Sequence, residues 1–228
     1  MILTLILAVL PTIILGYFVY KKDILEKEPI ELLVVLFLFG ILSTLPAAIL
    51  ENIIMNIIPQ TRNTTLNAFI LSFFCIALIE EGYKALFVYK ITFKNKNFNH
   101  IYDGIVYSVF TSLGFATLEN ILYVLKYGTG TGFLRAIVSV PAHAFFGVSM
   151  GYYMGIAKYN SITNNQSKMK KNKLLSLALP IIFHGIFDFL LLTGNETMII
   201  IFFVFVIMLY ILAYKQIKKH SKVMTMLQ

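Results

Sequence analysis

The sequence predicts an all-α, polytopic membrane bundle of about seven transmembrane helices, and three observations predict it. Hydrophobic residues fill 58% of the 228 positions and charged ones only 13%, a balance found in membrane proteins rather than soluble domains. Apolar runs of about 18 or more residues recur along the whole chain. Between these runs, lysines gather in alternate connections, as the orientation of a multi-pass protein requires.

The first run, 2–20, reads as a retained span. Its uncharged stretch is too long for the core of a signal peptide, no basic segment precedes it, and no small-x-small site comes after it. The second, 30–50, leads into "ENIIMNIIPQTRNTT" (51–65), expected as a short interfacial helix before Pro59. The third, 67–89, contains two adjacent glutamates and a lysine. The fourth, 103–125, opens at "YDG", where Asp103 is expected to cap the helix and His100 to lie in a loop without a special role. The fifth, 132–157, carries "HAFFGVSMGYYMG", whose small residues at every fourth position let helices approach closely. "GVSMG" also matches a hydrolase nucleophile pattern around Ser149, but that pattern needs a strand before it and here lies inside a span. The polar stretch 158–173 ("KYNSITNNQSKMKKNK") is expected as the longest and most mobile connection, leading to spans 174–192 and 197–214. No soluble domain, fixed-period repeat or heptad is visible, so 1–228 is expected to form a single transmembrane domain. Abundant Lys, Asn, Ile, Phe and Tyr, with no Trp, point to a low-GC bacterial gene and hence to a bacterial plasma membrane.

The 19 Lys and Arg residues fix the expected orientation. The connections after spans 1, 3 and 5 and the C-terminal tail hold Lys21, Lys22 and Lys27; Lys90, Lys94 and Lys96; Lys158, Lys168, Lys170, Lys171 and Lys173; and Lys215, Lys218, Lys219 and Lys222. The opposite side holds only Arg62, Lys126 and Arg135. The N-terminus is therefore expected outside and the C-terminus in the cytoplasm. The net charge of +8 is then a topology signal with some affinity for anionic lipid, and nucleic acid is not needed as a partner. The single cysteine, Cys75, can form no internal disulfide.

Away from the ends of the runs lie seven ionisable residues: Glu80, Glu81, Lys84, Glu119, His143, His184 and Asp188. A charge at a span centre costs roughly 2.5–3.5 kcal/mol on insertion scales, so such groups face a bundle interior and mark function. Helical spacing puts Lys84 within reach of both Glu80 and Glu81 and sets Asp188 one turn from His184, where it can orient the imidazole. His143 shares a ridge with Gly147, Gly151 and Gly155, so it is expected to face another helix. Pro141 and Pro180 precede the two histidines and can free carbonyls for a polar pocket. At a rise of about 1.5 Å per residue, Glu80 lies about 20 Å from the outer end of its span, Glu119 about 9 Å, His143 about 16 Å and His184 about 12 Å. Four helices thus bring polar groups to one depth range, between the bilayer middle and its outer face.

Glutamates and histidines in a wet intramembrane cavity suit water activation, with a carboxylate as base and imidazoles as donors to the developing oxyanion. The same groups suit Zn²⁺ held by two histidines and a carboxylate, although no H-E-x-x-H helix is present. A proton- or ion-coupled transporter is the alternative, since buried carboxylates and histidines also build proton relays; it would be expected to show paired halves, and none are visible.

The order "EEGYK" (Glu80–Lys84), "FATLEN" (Phe115–Asn120), "PAH" ending at His143 and "HGIFD" (His184–Asp188) resembles the PrsW family of intramembrane proteases. E-E-x-x-K is the most specific element, and the resemblance spans essentially the whole chain. The family is similar to the wider group of CAAX-prenyl-protease-like membrane enzymes. The resemblance implies site-1 cleavage of a single-pass membrane anti-sigma factor on its extracytoplasmic side, which activates an extracytoplasmic-function sigma factor in a stress response. It also implies Glu80, Glu81, Glu119, His143 and His184 as catalytic residues, with Lys84 and Asp188 as orienting partners. Either Glu80 or Glu81 is the base. Metal use is open, and any metal would be expected on His143, His184 and Glu119.

Overall fold

The computed structural model describes residues 2–58 and 61–221, and helix is the only regular structure among them. The helices are α1 (Ile2–Lys22), α2 (Ile30–Ile57), α3 (Thr64–Ile70), α4 (Leu78–Thr92), α5 (Ile101–Tyr127), α6 (Thr129–Ile137), α7 (Ser139–Ile162), α8 (Gln166–Thr193) and α9 (Glu196–His220). A π-helical segment, Leu71–Ala77, joins α3 to α4 without a break, so 64–92 is one continuous rod. Six segments among the described residues are long and apolar enough to cross a membrane: α2, the 64–92 rod, α5, α6 with α7, α8 and α9. The apolar α1 stands beside them as a 21-residue helix. The chain is an all-α, multi-pass membrane protein.

Helix α5 is the axis. It packs against α7 along its length, and α2 and α1 cover its other sides, while α8 lies on α7 and on the π-helical segment. Seventeen of its 27 residues are buried, which is why its polar residues face protein rather than lipid. Glycines set the closest approach. A Cβ added at Gly151 would stand 2.5 Å from Ile105 Cα, and one at Gly155 would stand 2.9 Å from Ile101 Cα. The ridge that carries His143 therefore does lie against another helix, and that helix is α5. At the α2–α5 crossing, a Cβ on Gly114 would lie 2.8 Å from the carbonyl carbon of Phe37. Outward-facing Leu, Ile, Val and Phe cover the remainder, such as Leu38, Leu42, Leu86, Ile200 and Val204. A lipid-facing surface requires this, and a water-facing one would not tolerate it.

Several boundaries differ from those expected. Residues 51–57 extend α2 rather than forming a separate interfacial helix; Pro59, like Lys222 of the tail, lies outside the described residues. The polar stretch 158–173 is mostly helix. Only Thr163–Asn165 connect α7 to α8, with Asn164 at φ 55° and the Asn165 side chain capping Lys168 N at 3.1 Å. Lysine and glutamine are good helix formers, so both helices continue beyond their apolar parts. The fifth run is two helices, broken at Val138, and His143 lies near the start of α7. Pro141 sits in the first turn of α7, where its missing N–H costs no intrahelical bond. Asp103 caps α5 as expected, with Oδ2 accepting from Asn99 N at 2.8 Å and His100 N at 2.6 Å.

Because the seams are closed at backbone distance, Gly114→Ala and Gly151→Ala should each destabilise the fold by about 1–3 kcal/mol. Gly82→Ala, where an added Cβ meets nothing within 4 Å, should not. Thermal unfolding in detergent micelles checks this, and equal melting of all three variants would show that the seams do not set stability.

Candidate active site

The π-helical segment immediately precedes the paired glutamates. A π turn widens the helix and shifts the phase of the residues after it, and such turns are frequent at functional sites. Beyond it, α4 directs Glu80, Glu81 and Lys84 inward, all of them buried. Lys84 Nζ lies 2.7 Å from Glu81 Oε1, 3.2 Å from Glu80 Oε2 and 3.1 Å from His143 Nδ1 of α7. It also stands 4.1 Å from the centre of the Phe115 ring of α5, a cation–π contact strengthened by the burial of Lys84. One ammonium on α4 thus touches groups on two further helices.

Helix α8 supplies the next layer. His184 Nδ1 lies 3.0 Å from Glu81 Oε1 and 3.9 Å from Glu80 Oε2, and its Nε2 lies 3.2 Å from Asp188 Oδ2. Phe146 of α7 stacks on the His184 ring at 4.8 Å. His143 has the same kind of arrangement, with Nδ1 toward Lys84 and Nε2 2.9 Å from Glu119 Oε2. The two imidazoles are 5.3 Å apart and nearly perpendicular. Each histidine therefore has a carboxylate on its far nitrogen, which fixes ring orientation. All seven ionisable residues singled out in the sequence converge here.

Above this cluster is a cavity of about 350 Å³, lined by Glu80, His143, His184, Glu119, Asp188 and Phe115 among others. Glu81 and Lys84 lie beneath its wall. The cavity also takes in two residues not anticipated as part of the site, Glu51 of α2 and Arg135 of α6. Arg135 pairs with Glu119 at 2.8 Å, donates from Nε to Asn120 Oδ1 at 3.2 Å, and stacks over the Tyr123 ring at 4.0 Å. Glu51 lies just past the expected end of span 2, so a longer span would have flagged it. Arg135 lies three residues into the fifth run and reads as a charge of the outer side, and its carboxylate partner sits on another helix. The cavity-lining ends of α2, α5 and α8 are remote from the lysine-rich connections.

The donor chemistry fits a metal. One nitrogen from each of His143 and His184 and one oxygen from each of Glu80 and Glu81 lie within 4.8 Å of one another. Two imidazoles backed by carboxylates, plus carboxylate oxygens, form a zinc-type set. Glu119, expected among the ligands, lies instead on the far nitrogen of His143. Glu80 and Glu81 take its place in the group.

Comparison with known proteins agrees with this chemistry. Residues 28–214 match the family described as PrsW family intramembrane metalloprotease. Protease PrsW of Clostridioides difficile is 35% identical over 224 residues, covering 95% of this chain and 92% of that protein. Protease PrsW of Oceanobacillus iheyensis is 37% identical, covering 93% of each, and that of Bacillus subtilis is 32% identical, covering 92% and 91%. No solved structure matches the chain significantly.

Removing the ammonium leaves two buried carboxylates without their cation. Lys84→Met should therefore destabilise the protein by about 3–5 kcal/mol. Adding Glu81→Gln should recover part of that loss, which a double-mutant cycle of unfolding free energies measures. An unchanged melting temperature for Lys84→Met would remove Lys84 from the structural centre of the site.

Proposed function

The chain belongs to the PrsW family of intramembrane metalloproteases, and on that premise we propose that it makes the site-1 cut in a single-pass membrane anti-sigma factor. The cut falls near the extracytoplasmic face and frees an extracytoplasmic-function sigma factor for a stress response. One observation carries the mechanism: of the paired glutamates, Glu80 faces the cavity beside both histidines, while Glu81 is locked below it by Lys84 and His184. Glu80 is the general base and Glu81 the positioning residue.

Glu80 takes a proton from water as the water oxygen bonds to the scissile carbonyl carbon. Negative charge develops on the carbonyl oxygen, where the positive potential of Lys84, with the two imidazoles beside it, stabilises it. The proton on Glu80 passes to the amide nitrogen as the C–N bond breaks, leaving a carboxylic acid and an amine, and the acid's proton then moves to the amine to give a carboxylate and an ammonium. Glu119 and Asp188 hold the far nitrogens of His143 and His184, and Arg135 offsets the charge of Glu119. A metal held by His143, His184 and Glu81 would polarise the carbonyl and acidify the water, leaving Glu80 as the base.

We assign the lysine-rich connections to the cytoplasm, which directs the cavity outward and leaves the transporter alternative without a favouring observation. With a tagged anti-sigma factor from the same genome co-expressed, Glu80→Gln should lower cleavage by about 10²–10⁴-fold, the scale of a lost general base. Cleavage that persists in Glu80→Gln, at equal membrane expression, would falsify the assignment. Lys126→Cys should react with an impermeant maleimide in intact cells and Lys219→Cys should not; the reverse pattern would invert the topology.

A further inference from the structure

At the other end of α5 lies a second group of acids, for which the proteolytic mechanism has no use. Asp23 lies just after α1, Glu28 precedes α2, and Asp103 sits in the first turn of α5. They are 3%, 3% and 0% exposed, and one oxygen from each lies within 4.8 Å of the others. Asp103 and Glu119 are about 24 Å apart along the helix at a rise of about 1.5 Å per residue. This group is separate from the cavity.

Three buried carboxylates need a counter-charge. Among the described residues none of the three has an ion-pair partner. The nearby cation, Lys27, forms no ion pair with them, its Nζ donating instead to the carbonyls of Tyr20 at 2.6 Å and Lys21 at 3.2 Å. Tyr107 donates its hydroxyl to Glu28, and the backbone N–H groups of Asn99 and His100 satisfy one oxygen of Asp103. Two further oxygens, Asp23 Oδ2 and Asp103 Oδ1, are buried and have no hydrogen-bond partner.

We propose that Asp23, Glu28 and Asp103 form a binding site for a hard divalent cation of the Mg²⁺ or Ca²⁺ class, which ties the α1–α2 connection to the start of α5. The donors are all oxygen, which selects hard cations over the softer metals suited to the histidine-containing site. Two of the oxygens have nothing else to bind. The connection itself, 23–29, is short, so a cation there fixes how α1 and α2 enter the bundle against α5.

The test uses the full chain in neutral detergent, stripped with EDTA. It carries Glu80→Gln, which weakens the other metal-competent group while leaving Lys84 paired with Glu81. Adding Mg²⁺ or Ca²⁺ should raise the melting temperature saturably, and Mn²⁺ should bind one-to-one by electron paramagnetic resonance. Asp23→Asn with Glu28→Gln should abolish both responses; the amides match the neutral carboxyls in shape, so the variant should fold. Should it not, Asp23→Asn alone, in the connection, should still lose Mn²⁺ binding. Absence of a response in the parent would mean that the acids share protons instead, and a response surviving the substitutions would place the cation elsewhere. Either result overturns the proposal.

Discussion

The structure depends on one buried ammonium. Without Lys84, Glu80 and Glu81 would lose the cation they share in a low-dielectric interior, and the packing of α5, α7 and α8 around them would be weakened. With it, each neighbouring helix gains a reason to be where it is. Phe115 offers the ammonium an aromatic face, His143 a ring nitrogen, and His184 reaches it through Glu81. The fold and the chemistry are therefore not separate layers. Groups that make the interior polar enough to handle water are also the contacts that determine which helices meet.

Charge alternates outward from that centre. Lys84 lies between the glutamates and His143; Glu119 and Asp188 lie beyond the two imidazoles; Arg135 closes the chain on Glu119. Each member pairs with the next, as a polar network in an apolar medium requires, and Glu81 Oε2 alone of the glutamate-pair oxygens is buried without a hydrogen-bond partner. Arg135 belongs to α6, a nine-residue helix with exposed Phe133, Leu134 and Ile137, so the outermost link is carried by the least embedded element. The glycine seams between α5 and α7 and between α2 and α5 supply the rigidity that holds the network in register.

Much of this was legible in the sequence because it is local. Apolar run length marks the spans, and one-turn spacing pairs Glu80 with Lys84 and His184 with Asp188. The ridge of Gly147, Gly151 and Gly155 correctly turns His143 toward another helix. What escapes depends on contacts between distant residues or on polar sequence with two possible fates. The π-helical segment has no compositional signature in "LSFFCIA". Arg135 and Glu51 become site residues only once α2, α5 and α6 converge. The 158–173 stretch is as polar as a loop, yet Lys and Gln continue helices readily once a span has nucleated them. Asp103 reads as a cap and is one, but its second oxygen gains meaning only beside Asp23 and Glu28, far earlier in the chain.

The placement of Lys84 on the same helix as both glutamates bears on how the protein is made. The 64–92 rod leaves the ribosome before α7 and α8 have been synthesised, so neither histidine is present when the carboxylates first meet lipid. Lys84, three and four residues away, accompanies them on the same helical face and reduces the formal charge entering the bilayer from −2 to −1. Had the counter-charge been placed on a later helix, the rod would have to wait, half inserted, for its partner. Encoding the neutralising group within about one turn makes the 64–92 rod able to enter the membrane on its own.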